Sequence, residues 1–236
     1  MREKNQTNID ADEINKFDNL ASRWWDPEGD FKPLHQINPL RLDFICQFNN
    51  INNLEVADIG CGGGILSEAM SKKGAVVTGI DMAKKALNVA KLHQIESETT
   101  VDYQLTTAEE LSISKKESFD VVTCLEMLEH VPEPEAIIKS CATLLKPGGS
   151  VYFSTINRNL KSFLHAIIGA EHLLKLLPVG THEYSKFIKP SEIDNWARNS
   201  NLELHSSTGL KYNPIYEKYS LSDNLDVNYM LHFIKS

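Results

Sequence analysis

The residues whose types and spacing point to chemistry are four glycines within five positions, directly after a short apolar segment. The segment is 54–59, and the glycines are Gly60 and Gly62–Gly64. Glycine loses the most backbone entropy on folding, so this cluster indicates a turn that approaches a ligand where a parallel strand passes into a helix. A second predicted strand, 75–80, ends in Asp81. Together they predict a nucleoside site in a βαβ unit, with the acid binding the ribose hydroxyls.

The spacing of the glycines indicates which nucleoside this turn binds. A dinucleotide turn has the pattern G-x-G-x-x-G, but counting from Gly60 places Ile65 where the third glycine belongs. A phosphate-binding loop needs a Lys after its last glycine, and none follows here. Asp58 at the strand end would repel a phosphate, but it suits a positively charged ligand. We therefore predict an S-adenosylmethionine site, since that ligand carries a sulfonium and an amino group, with Asp58, Gly60, Gly62 and Asp81 as contacts.

A second set of reactive side chains follows the fourth predicted strand, 119–124. Glu126, Glu129 and His130 stand at positions i, i+3 and i+4, so one helical turn would present all three on one side. Ligands of open α/β sheets bind beyond the carboxyl ends of the strands, which places this set at the same crevice as the glycine turn. The three side chains could hold a divalent cation or supply a general base. The other interpretation is a solvated helix start, whose acids interact favourably with the helix N-terminus.

The elements that position these residues alternate between strand and helix. Hydrophobic periodicity predicts strands over 54–59, 75–80, 100–106, 119–124, 149–155, 202–210 and 227–235. It predicts helices over about 64–73, 83–95, 133–145 and 190–200, with two more before the glycine turn. This alternation predicts an α/β fold with a Rossmann-like, doubly wound, mostly parallel seven-stranded sheet. We predict one domain over 1–236, with a frayed tail over 1–10.

Two segments lie outside this alternation. Trp24 and Trp25 are adjacent and cannot both point into one core. Either one is buried and the other covers a surface, or one packs over a bound ligand as part of a lid. The segment 158–188, inserted after the fifth strand, is rich in apolar residues at helical spacing. It is either a core helix, or a lid or interfacial helix in contact with lipid or an apolar substrate.

The composition limits the class of partner and the compartment. The chain has 236 residues, a formal charge of −8 and 42% hydrophobic residues. These values are typical of a globular protein and argue against nucleic acid as a partner, because phosphate binding needs a basic face. The four cysteines lie far apart without a C-x-x-C pair, which indicates a reducing cytoplasm. No segment is apolar enough for a signal core or a spanning helix, so we expect a soluble cytoplasmic protein.

Beyond these local patterns, four longer stretches resemble one family. They are FDNLASRWWDPEGDFKPLHQINPLRLDFI (17–45), CLEMLEHVPEPE (124–135), THEYSKFIKPSE (181–192) and GLKYNPIYEKYSLSDNLDVNYM (209–230). The glycine turn and Asp81, followed by Cys124–Pro132, resemble class I S-adenosylmethionine-dependent methyltransferases. The four stretches resemble the ubiquinone biosynthesis O-methyltransferase family, and the likeness extends from about residue 12 to near the end of the chain.

The resemblance implies an S-adenosylmethionine-dependent O-methyltransferase. This family methylates a hydroxyl of a polyprenylated catechol and later one of demethylubiquinol, so the implied partner is a polyprenylated phenol or quinol. The family's cofactor contacts fall on Arg41, Gly60, Asp81 and Leu125 in this sequence. Leu125 occupies a position where relatives can have Met, and either side chain could pack against adenine.

The resemblance also implies a divalent cation, with Mg²⁺ favoured, bound by Glu126, Glu129 and His130. The cation would bind the catechol oxygens and lower the pKa of the hydroxyl. Alternatively, His130 is itself the general base, and Glu129 belongs to the same catalytic group. The family's insertion, 158–188 here, implies peripheral contact with the inner face of the membrane. Contact with other enzymes of quinone biosynthesis is a further expectation.

Three other functions fit parts of the sequence. A C-methyltransferase of the quinone pathway would share the fold and the cofactor. A nicotinamide-dependent oxidoreductase would share the fold, but Ile65 at the position of the third glycine argues against it. A non-catalytic scaffold would keep the fold and the insertion. It would have little need for the glycine turn together with Asp81, Glu126, Glu129 and His130.

Overall fold

The computed structural model describes residues 8–159 and 184–236, and its centre is an eight-stranded sheet flanked by helices. The strands are β1 (Glu55–Ile59), β2 (Val76–Asp81), β3 (Val101–Leu105), β4 (Phe119–Leu125), β5 (Leu145–Ile156), β6 (Leu202–Asn213), β7 (Lys218–Ser222) and β8 (Asn228–Lys235). The α-helices of the described ranges are α1 (Ala11–Leu20), α2 (Lys32–Phe48), α3 (Ile65–Lys72), α4 (Lys84–Glu96), α5 (Ala108–Ser114), α6 (Pro134–Leu144) and α7 (Pro190–Arg198).

The order of strands across the sheet creates a crevice at one edge. The order is β3-β2-β1-β4-β5-β8-β6-β7. The first five strands pair in parallel, and β8, β6 and β7 extend the sheet through antiparallel pairs. The chain order reverses between β1 and β4, and ligands of open α/β sheets bind beyond the strand ends at such a reversal. The fold therefore brings the carboxyl ends of β1, β2 and β4 around one crevice.

This architecture confirms the predicted α/β class and the Rossmann-like, mostly parallel sheet. The strand count differs, because β7 makes eight strands where we predicted seven. β7 is short and partly exposed and includes Ser220 and Ser222, so backbone pairing with β6 defines it rather than an apolar run. The helix α5 is also absent from the prediction. A capping box between Thr107 and Glu110 begins this helix, which is too short to show a clear apolar period.

Two apolar clusters, one on each face of the sheet, hold the helices against the strands. Successive residues of a strand point to opposite faces, so Val56 of β1 joins one cluster while Ala57 and Ile59 join the other. In β5, Tyr152 and Phe153 divide in the same way. Close packing on both faces leaves the sheet little freedom to shift, which fixes the strand ends that face the crevice.

The N-terminal segment forms one wall of the crevice. Trp24 stacks on Phe31 with 4.1 Å between ring centres, and both belong to an apolar cluster with Ala83, just before α4. The described part of the predicted tail 1–10 is attached to the domain. Asn8 accepts a hydrogen bond at 2.8 Å from the backbone just before α6. The N-terminal segment therefore covers the carboxyl ends of the strands that border the crevice.

The predicted insertion 158–188 lies mostly outside the described residues, which end at 159 and resume at 184. The choice between a core helix and an interfacial helix therefore concerns residues beyond those ranges. Within the described ranges, no helix has both the length and the apolar character needed to cross a bilayer.

Candidate active site

A cavity of about 1000 Å³ lies at the carboxyl ends of β1, β2 and β4. Every residue that the sequence indicated as a cofactor, catalytic or metal contact lines it. These residues are Arg41, Asp58, Gly60, Gly62, Asp81, Leu125, Glu126, Glu129 and His130. They come from α2, three strand ends, the glycine turn after β1 and the loop after β4, so the sheet brings them together. A cavity of this volume is large enough for a nucleoside ligand and a second substrate.

The glycine turn connects β1 to α3 at the edge of the cavity. Gly60 and Gly62 have φ angles of 73° and 53°, in the left-handed region where a side chain is strained. A Cβ atom at Gly60 would lie 2.6 Å from Cγ of Met127, and one at Gly62 would clash with the ring of Trp24. The turn therefore needs glycine both for its conformation and because Met127 and Trp24 pack directly on its backbone.

The two adjacent tryptophans both contact the glycine turn. Trp24 is 6% exposed, lines the cavity and packs on Gly62 and Gly63. Nε1 of Trp25 donates a hydrogen bond to the carbonyl oxygen of Gly63 at 2.9 Å, and its ring stacks on His93 with 3.4 Å between ring centres. Trp24 is thus a core residue that also forms a wall of the cavity, and its packing over a bound ligand as part of a lid stays a prediction.

Asp58, at the end of β1, is held inside the protein. It is 3% exposed and accepts hydrogen bonds from the hydroxyls of Ser67 at 2.6 Å and Thr123 at 2.7 Å. Burial raises the pKa of its carboxyl to about 6, although the two hydroxyls oppose part of the rise. Its hydrogen bonds join β1 to β4 and to α3, so in this structure Asp58 holds the frame of the cavity that it lines.

Asp81, at the end of β2, connects the glycine turn to the next helix. It accepts hydrogen bonds from the backbone N–H groups of Gly62 at 2.8 Å and Ala83 at 2.7 Å. Burial raises the pKa of its carboxyl, and the N–H groups counteract that rise. Asp81 therefore fixes the position of Gly62 relative to α4 while it lines the cavity.

An ion pair between α2 and the end of β4 contributes a second polar group to the cavity. Nη2 of the buried Arg41 lies 2.8 Å from Oε1 of Glu126. The same carboxylate accepts hydrogen bonds from Oγ of Ser154 at 2.7 Å and from Nδ2 of Asn228 at 3.1 and 3.2 Å. Nε and Nη2 of Arg41 have no partner in hydrogen-bond geometry among the described residues. A buried cation with unsatisfied donors indicates where a ligand oxygen would bind.

Glu129 is a buried carboxyl group near this ion pair. It is 4% exposed, and its Oε2 atom has no hydrogen-bond partner within the described ranges. Burial raises the pKa of Glu129 to about 7, and the nearby charge of Glu126 adds to the rise. A carboxyl group that gains and loses its proton near neutral pH is suited to acid–base chemistry.

His130 is paired with an acid from the N-terminal helix. Its Nδ1 atom lies 2.9 Å from Oε2 of Glu13. Burial alone would lower the pKa of the imidazole, but the hydrogen bond with Glu13 and the charge of Glu129 outweigh burial and raise it. The bond to His130 in turn lowers the pKa of Glu13 to about 2, so Glu13 is a carboxylate at neutral pH. No described residue bonds to Nε2 of His130, which leaves that nitrogen available to a substrate.

The prediction that Glu126, Glu129 and His130 share one face of a helical turn is wrong. Glu126 has a φ of 54° and donates its backbone N–H to the carbonyl oxygen of Ser154, which continues the pairing of β4 with β5. The helical turn that follows is a 3-10 helix that covers only Leu128–His130. Strand pairing therefore holds Glu126 outside the helix.

The three side chains do not form a metal-binding group as they stand. Across residues 8–159 and 184–236, no three His, Cys, Asp or Glu side chains are arranged to hold a metal ion. In this structure Glu126 is paired with Arg41, and Nδ1 of His130 with Glu13. The three residues line the same cavity, but their present partners separate their functions.

Comparisons with known proteins identify the family. A methyltransferase-domain model matches residues 34–207. A ubiquinone biosynthesis O-methyltransferase of Hahella chejuensis is 57% identical over 228 residues, which cover 97% of this chain and 96% of the relative. The enzyme of the same name from Azoarcus sp. is 58% identical over 226 residues, which cover 96% and 97%. The chain belongs to the ubiquinone biosynthesis O-methyltransferase family.

Solved structures of other methyltransferases share the fold of this O-methyltransferase at low sequence identity. The magnesium protoporphyrin IX methyltransferase of Synechocystis PCC 6803, solved with bound SAH, has a TM-score of 0.71 and 21% identity, over 94% of this chain and 95% of that one. A SAM-dependent methyltransferase of Thermotoga maritima has a TM-score of 0.67 and 18% identity, over 95% and 99%. The O-methyltransferase therefore has the Rossmann-like fold of class I methyltransferases.

Several residues that line the cavity of this O-methyltransferase were not indicated by the sequence: Glu13, Met82, Thr107, Tyr219 and Asn228. Met82 and Thr107 closely follow β2 and β3, so the carboxyl end of a parallel strand is a signal that could have identified them. Glu13, Tyr219 and Asn228 come from α1, β7 and β8. No local motif indicates these three, because only the fold brings them to the cavity.

Proposed function

We propose that this O-methyltransferase transfers the methyl group of S-adenosylmethionine to a hydroxyl of a polyprenylated catechol, and later to one of demethylubiquinol. The observation that carries the proposal is 57% identity, over nearly the full length, to an O-methyltransferase of ubiquinone biosynthesis. The geometry supports it, since one cavity joins the glycine turn and Asp81 to the polar groups of Arg41 and His130. Such a cavity suits a nucleoside donor beside an aromatic acceptor.

The residues around the glycine turn fit S-adenosylmethionine. Asp81 ends β2, the position at which an acid binds ribose hydroxyls. Nε of Arg41, which has no hydrogen-bond partner among the described residues, matches the ligand's carboxylate, and Leu125 is an apolar residue for the adenine. When bound, this ligand supplies a methyl carbon on a positively charged sulfur, and transfer leaves a neutral thioether. Gly60 and Gly62 shape the backbone next to it.

His130 provides the proton acceptor that a phenolic hydroxyl needs. A phenol with a pKa near 10 is protonated at neutral pH, so its oxygen is a weak nucleophile until the proton leaves. His130 lines the cavity, and no described residue bonds to its Nε2. Nε2 takes the proton while the phenolic oxygen bonds to the methyl carbon, and the electrons of the broken carbon–sulfur bond stay on sulfur. Positive charge thus passes from sulfur to the imidazole.

Glu129 is the second catalytic residue of the proposal. Its Oε2 atom is buried without a partner among the described residues, and its carboxyl has a pKa of about 7. As a carboxylate it would accept a hydrogen bond from a hydroxyl of the acceptor and stabilise the charge on His130. A catechol or quinol supplies such a hydroxyl, which a simple ether would not.

A divalent cation, with Mg²⁺ favoured, stays a prediction of the family resemblance. Glu126, Glu129 and His130 do not fit a metal with their present partners, so we assign no step of the reaction to a cation. The test is methyl transfer in the presence of a strong chelator, followed by addition of Mg²⁺. Activity that requires Mg²⁺ would support the cation, and full activity in the chelator would contradict it.

Peripheral contact with the inner face of the membrane, through 158–188, is a further part of the proposal, as is contact with other enzymes of quinone biosynthesis. The apolar composition of that segment and the polyprenyl tail of the substrate support it. Liposome co-sedimentation of the whole chain, compared with a variant that lacks 160–183, tests the membrane contact. Equal sedimentation of the two proteins would contradict it.

Product analysis is the experiment that tests the proposed reaction. The chain is incubated with S-adenosylmethionine and a short-chain prenyl catechol, and the position of the new methyl group is determined by mass spectrometry and NMR. We expect a methyl ether. A methyl group on a ring carbon would indicate a C-methyltransferase, and no transfer, with or without Mg²⁺, would contradict the proposed substrate. Titration with a nicotinamide cofactor, which we expect not to bind, tests the oxidoreductase alternative.

A further inference from the structure

Helix α1 brings a carboxylate into the active site from the far end of the chain. Oε2 of Glu13 lies 2.9 Å from Nδ1 of His130, although the two residues are 117 positions apart. Both side chains are largely buried, with 17% and 16% exposure. A hydrogen bond in such a setting is stronger than one in water, because the local dielectric constant is low. The pair is therefore a defined contact rather than a loose surface ion pair.

The chemistry of the two groups fixes the direction of this hydrogen bond. A carboxylate has no proton to donate, so Nδ1 of His130 must donate and Oε2 of Glu13 must accept. In a neutral imidazole with its hydrogen on Nδ1, the lone pair lies on Nε2. Nε2 is the nitrogen that no described residue binds. Glu13 therefore selects the tautomer in which the unbound nitrogen is a proton acceptor.

The same helix also fixes the plane of the imidazole ring. Phe17 packs edge-on against His130, with 5.1 Å between ring centres and 87° between planes. Glu13 and Phe17 are four residues apart on α1, so they lie on one face of the helix. One helical face thus sets both the tautomer and the orientation of His130.

We infer that Glu13 is a positioning residue for methyl transfer, which holds His130 in the tautomer whose Nε2 accepts the proton of the substrate hydroxyl. The inference rests on the proposed function, in which His130 is that proton acceptor. Glu13 does not itself touch the substrate in this account. With Glu13 in place, every neutral His130 ring has its lone pair at Nε2. Without Glu13, only a fraction of the molecules would have it there.

A purely structural role for Glu13 predicts different behaviour. Glu13 also pairs with Lys186 at 3.1 Å, and Lys186 reaches Asp10 at 3.2 Å, so these contacts fasten the start of α1 to the last residues of the insertion 158–188. If fastening were the whole role of Glu13, then removal of Lys186 would impair methyl transfer as much as removal of Glu13. If Glu13 positions His130, then loss of Glu13 lowers kcat far more than loss of Lys186 does.

The experiment compares three variants of the full chain. Glu13→Leu removes the hydrogen-bond acceptor at similar size, Lys186→Met breaks the fastening contacts, and Asp12→Leu is the matched control. Asp12 is an exposed acid on the same helix. For each protein, kcat and KM with a short-chain prenyl catechol are measured, together with the Kd of S-adenosylmethionine by calorimetry. The tautomer of His130 in the wild-type chain is read from its ¹⁵N chemical shifts at a pH where the ring is neutral.

We expect Glu13→Leu to lower kcat about tenfold to hundredfold, part of the ~10²- to 10⁴-fold that a general base contributes, with little change in KM or Kd. Lys186→Met and Asp12→Leu should keep kcat within about threefold of wild type. The wild-type shifts should show hydrogen on Nδ1. A normal kcat in Glu13→Leu, an equal loss in Lys186→Met, or hydrogen on Nε2 would each overturn the inference.

The design separates this inference from the proposed function. If the wild-type chain transfers no methyl group to the catechol, the proposed function fails, while the ¹⁵N shifts still report which tautomer His130 adopts beside Glu13. If Glu13→Leu does not fold, the wild-type shifts still test the inference, because hydrogen on Nε2 would overturn it without any variant. Activity in the wild type with the wrong tautomer would reject the positioning role alone.

Discussion

The cavity has two halves that differ in how their polar groups are satisfied. We call one the donor half, because the methyl donor S-adenosylmethionine is proposed to bind there. It consists of Asp58, the glycine turn Gly60–Gly64 and Asp81. Its acids are hydrogen-bonded by the protein itself: Asp58 by two hydroxyls and Asp81 by two backbone N–H groups. The acceptor half, where the phenolic methyl acceptor is proposed to bind, consists of Glu126, Glu129, His130 and Asn228, and Arg41 lies between the two halves, paired with Glu126. In the acceptor half, Oε2 of Glu129 and Oδ1 of Asn228 are buried without hydrogen-bond partners among the described residues.

This difference separates a preformed frame from a site that is completed by its substrate. Each buried polar atom without a partner costs about 1–3 kcal/mol, so a fold retains several of them in one place only where a function requires it. The donor half avoids this cost and is rigid before any ligand binds. The acceptor half keeps buried polar atoms available to form hydrogen bonds with the bound methyl acceptor. Changes in the two halves should therefore affect different measured quantities.

The largest effect that we predict belongs to the acceptor half. His130→Ala removes the proton acceptor and should lower kcat about 10²- to 10⁴-fold, the range that general-base catalysis contributes. The measurement is steady-state turnover with a short-chain prenyl catechol. His205→Ala is a suitable control, because His205 is an exposed histidine of β6 that does not line the cavity. A kcat within about threefold of wild type in His130→Ala would remove His130 from the mechanism.

The next effect concerns stability in the donor half. The pKa of Asp58 is raised from 3.8 to about 6 by burial, so the protonated form is favoured in the folded state. That contribution to stability is present below pH 3.8 and is lost as pH rises to about 6. Asp58→Asn lacks this term, so its unfolding free energy relative to wild type should rise by up to about 3 kcal/mol over that window.

Denaturant unfolding of both proteins, without ligand, at several pH values checks this prediction. The difference between the two proteins is the relevant quantity, since all other titrating groups are shared. A difference that stays constant with pH would show that Asp58 keeps an ordinary pKa in the folded chain.

A smaller effect, again in the donor half, follows from the glycine turn. Gly62→Ala places a side chain at a φ of 53° and against the ring of Trp24. A left-handed residue costs about 1–2 kcal/mol, so the Kd of S-adenosylmethionine should weaken about fivefold to thirtyfold. The kcat at saturating donor should change by less than about threefold. Gly148→Ala is the matched control, because Gly148 also has positive φ but lies in open space. If both variants bound S-adenosylmethionine equally weakly, the effect would not come from the glycine turn.

The smallest effect should come from Asn228. Nδ2 of Asn228 donates to the carboxylate of Glu126, which turns its buried Oδ1 away from that acid and leaves it without a partner within the described ranges. Asn228→Ala should raise the KM of the catechol about threefold to tenfold, because one hydrogen bond to the catechol is lost. The Kd of S-adenosylmethionine should be unchanged. Asn195→Ala, at an exposed position of α7, is the control. If Asn228→Ala changed only the Kd of S-adenosylmethionine, the assignment of Asn228 to the acceptor half would be contradicted.

The same division explains how much could be predicted from the sequence. The donor half is one continuous βαβ unit, so its glycines, its acids and their cofactor class were evident from local spacing. The acceptor half depends on contacts over long distances in sequence. Glu13 reaches His130 across 117 positions, and Asn228 reaches Glu126 across 102. No local period contains such contacts.

The errors in the prediction have the same origin. Periodicity placed Glu126 on a helical turn, but hydrogen bonding to Ser154 of the neighbouring strand holds it at a left-handed φ. Likewise, β7 exists because β6 supplies a pairing partner, and its own sequence is not strongly apolar. Local chemistry was therefore a sound guide to which residues matter, whereas their partners required the fold.

The most direct test of the division between the two halves is the affinity of His130→Ala for S-adenosylmethionine, measured by titration calorimetry beside the wild-type chain and Gly62→Ala. The donor half is complete without His130, so we predict a Kd within twofold of wild type, even though turnover is lost. In the same titration, Gly62→Ala should bind at least about fivefold more weakly. A Kd that is tenfold weaker in His130→Ala would show that the two halves are one coupled site, and it would contradict this account.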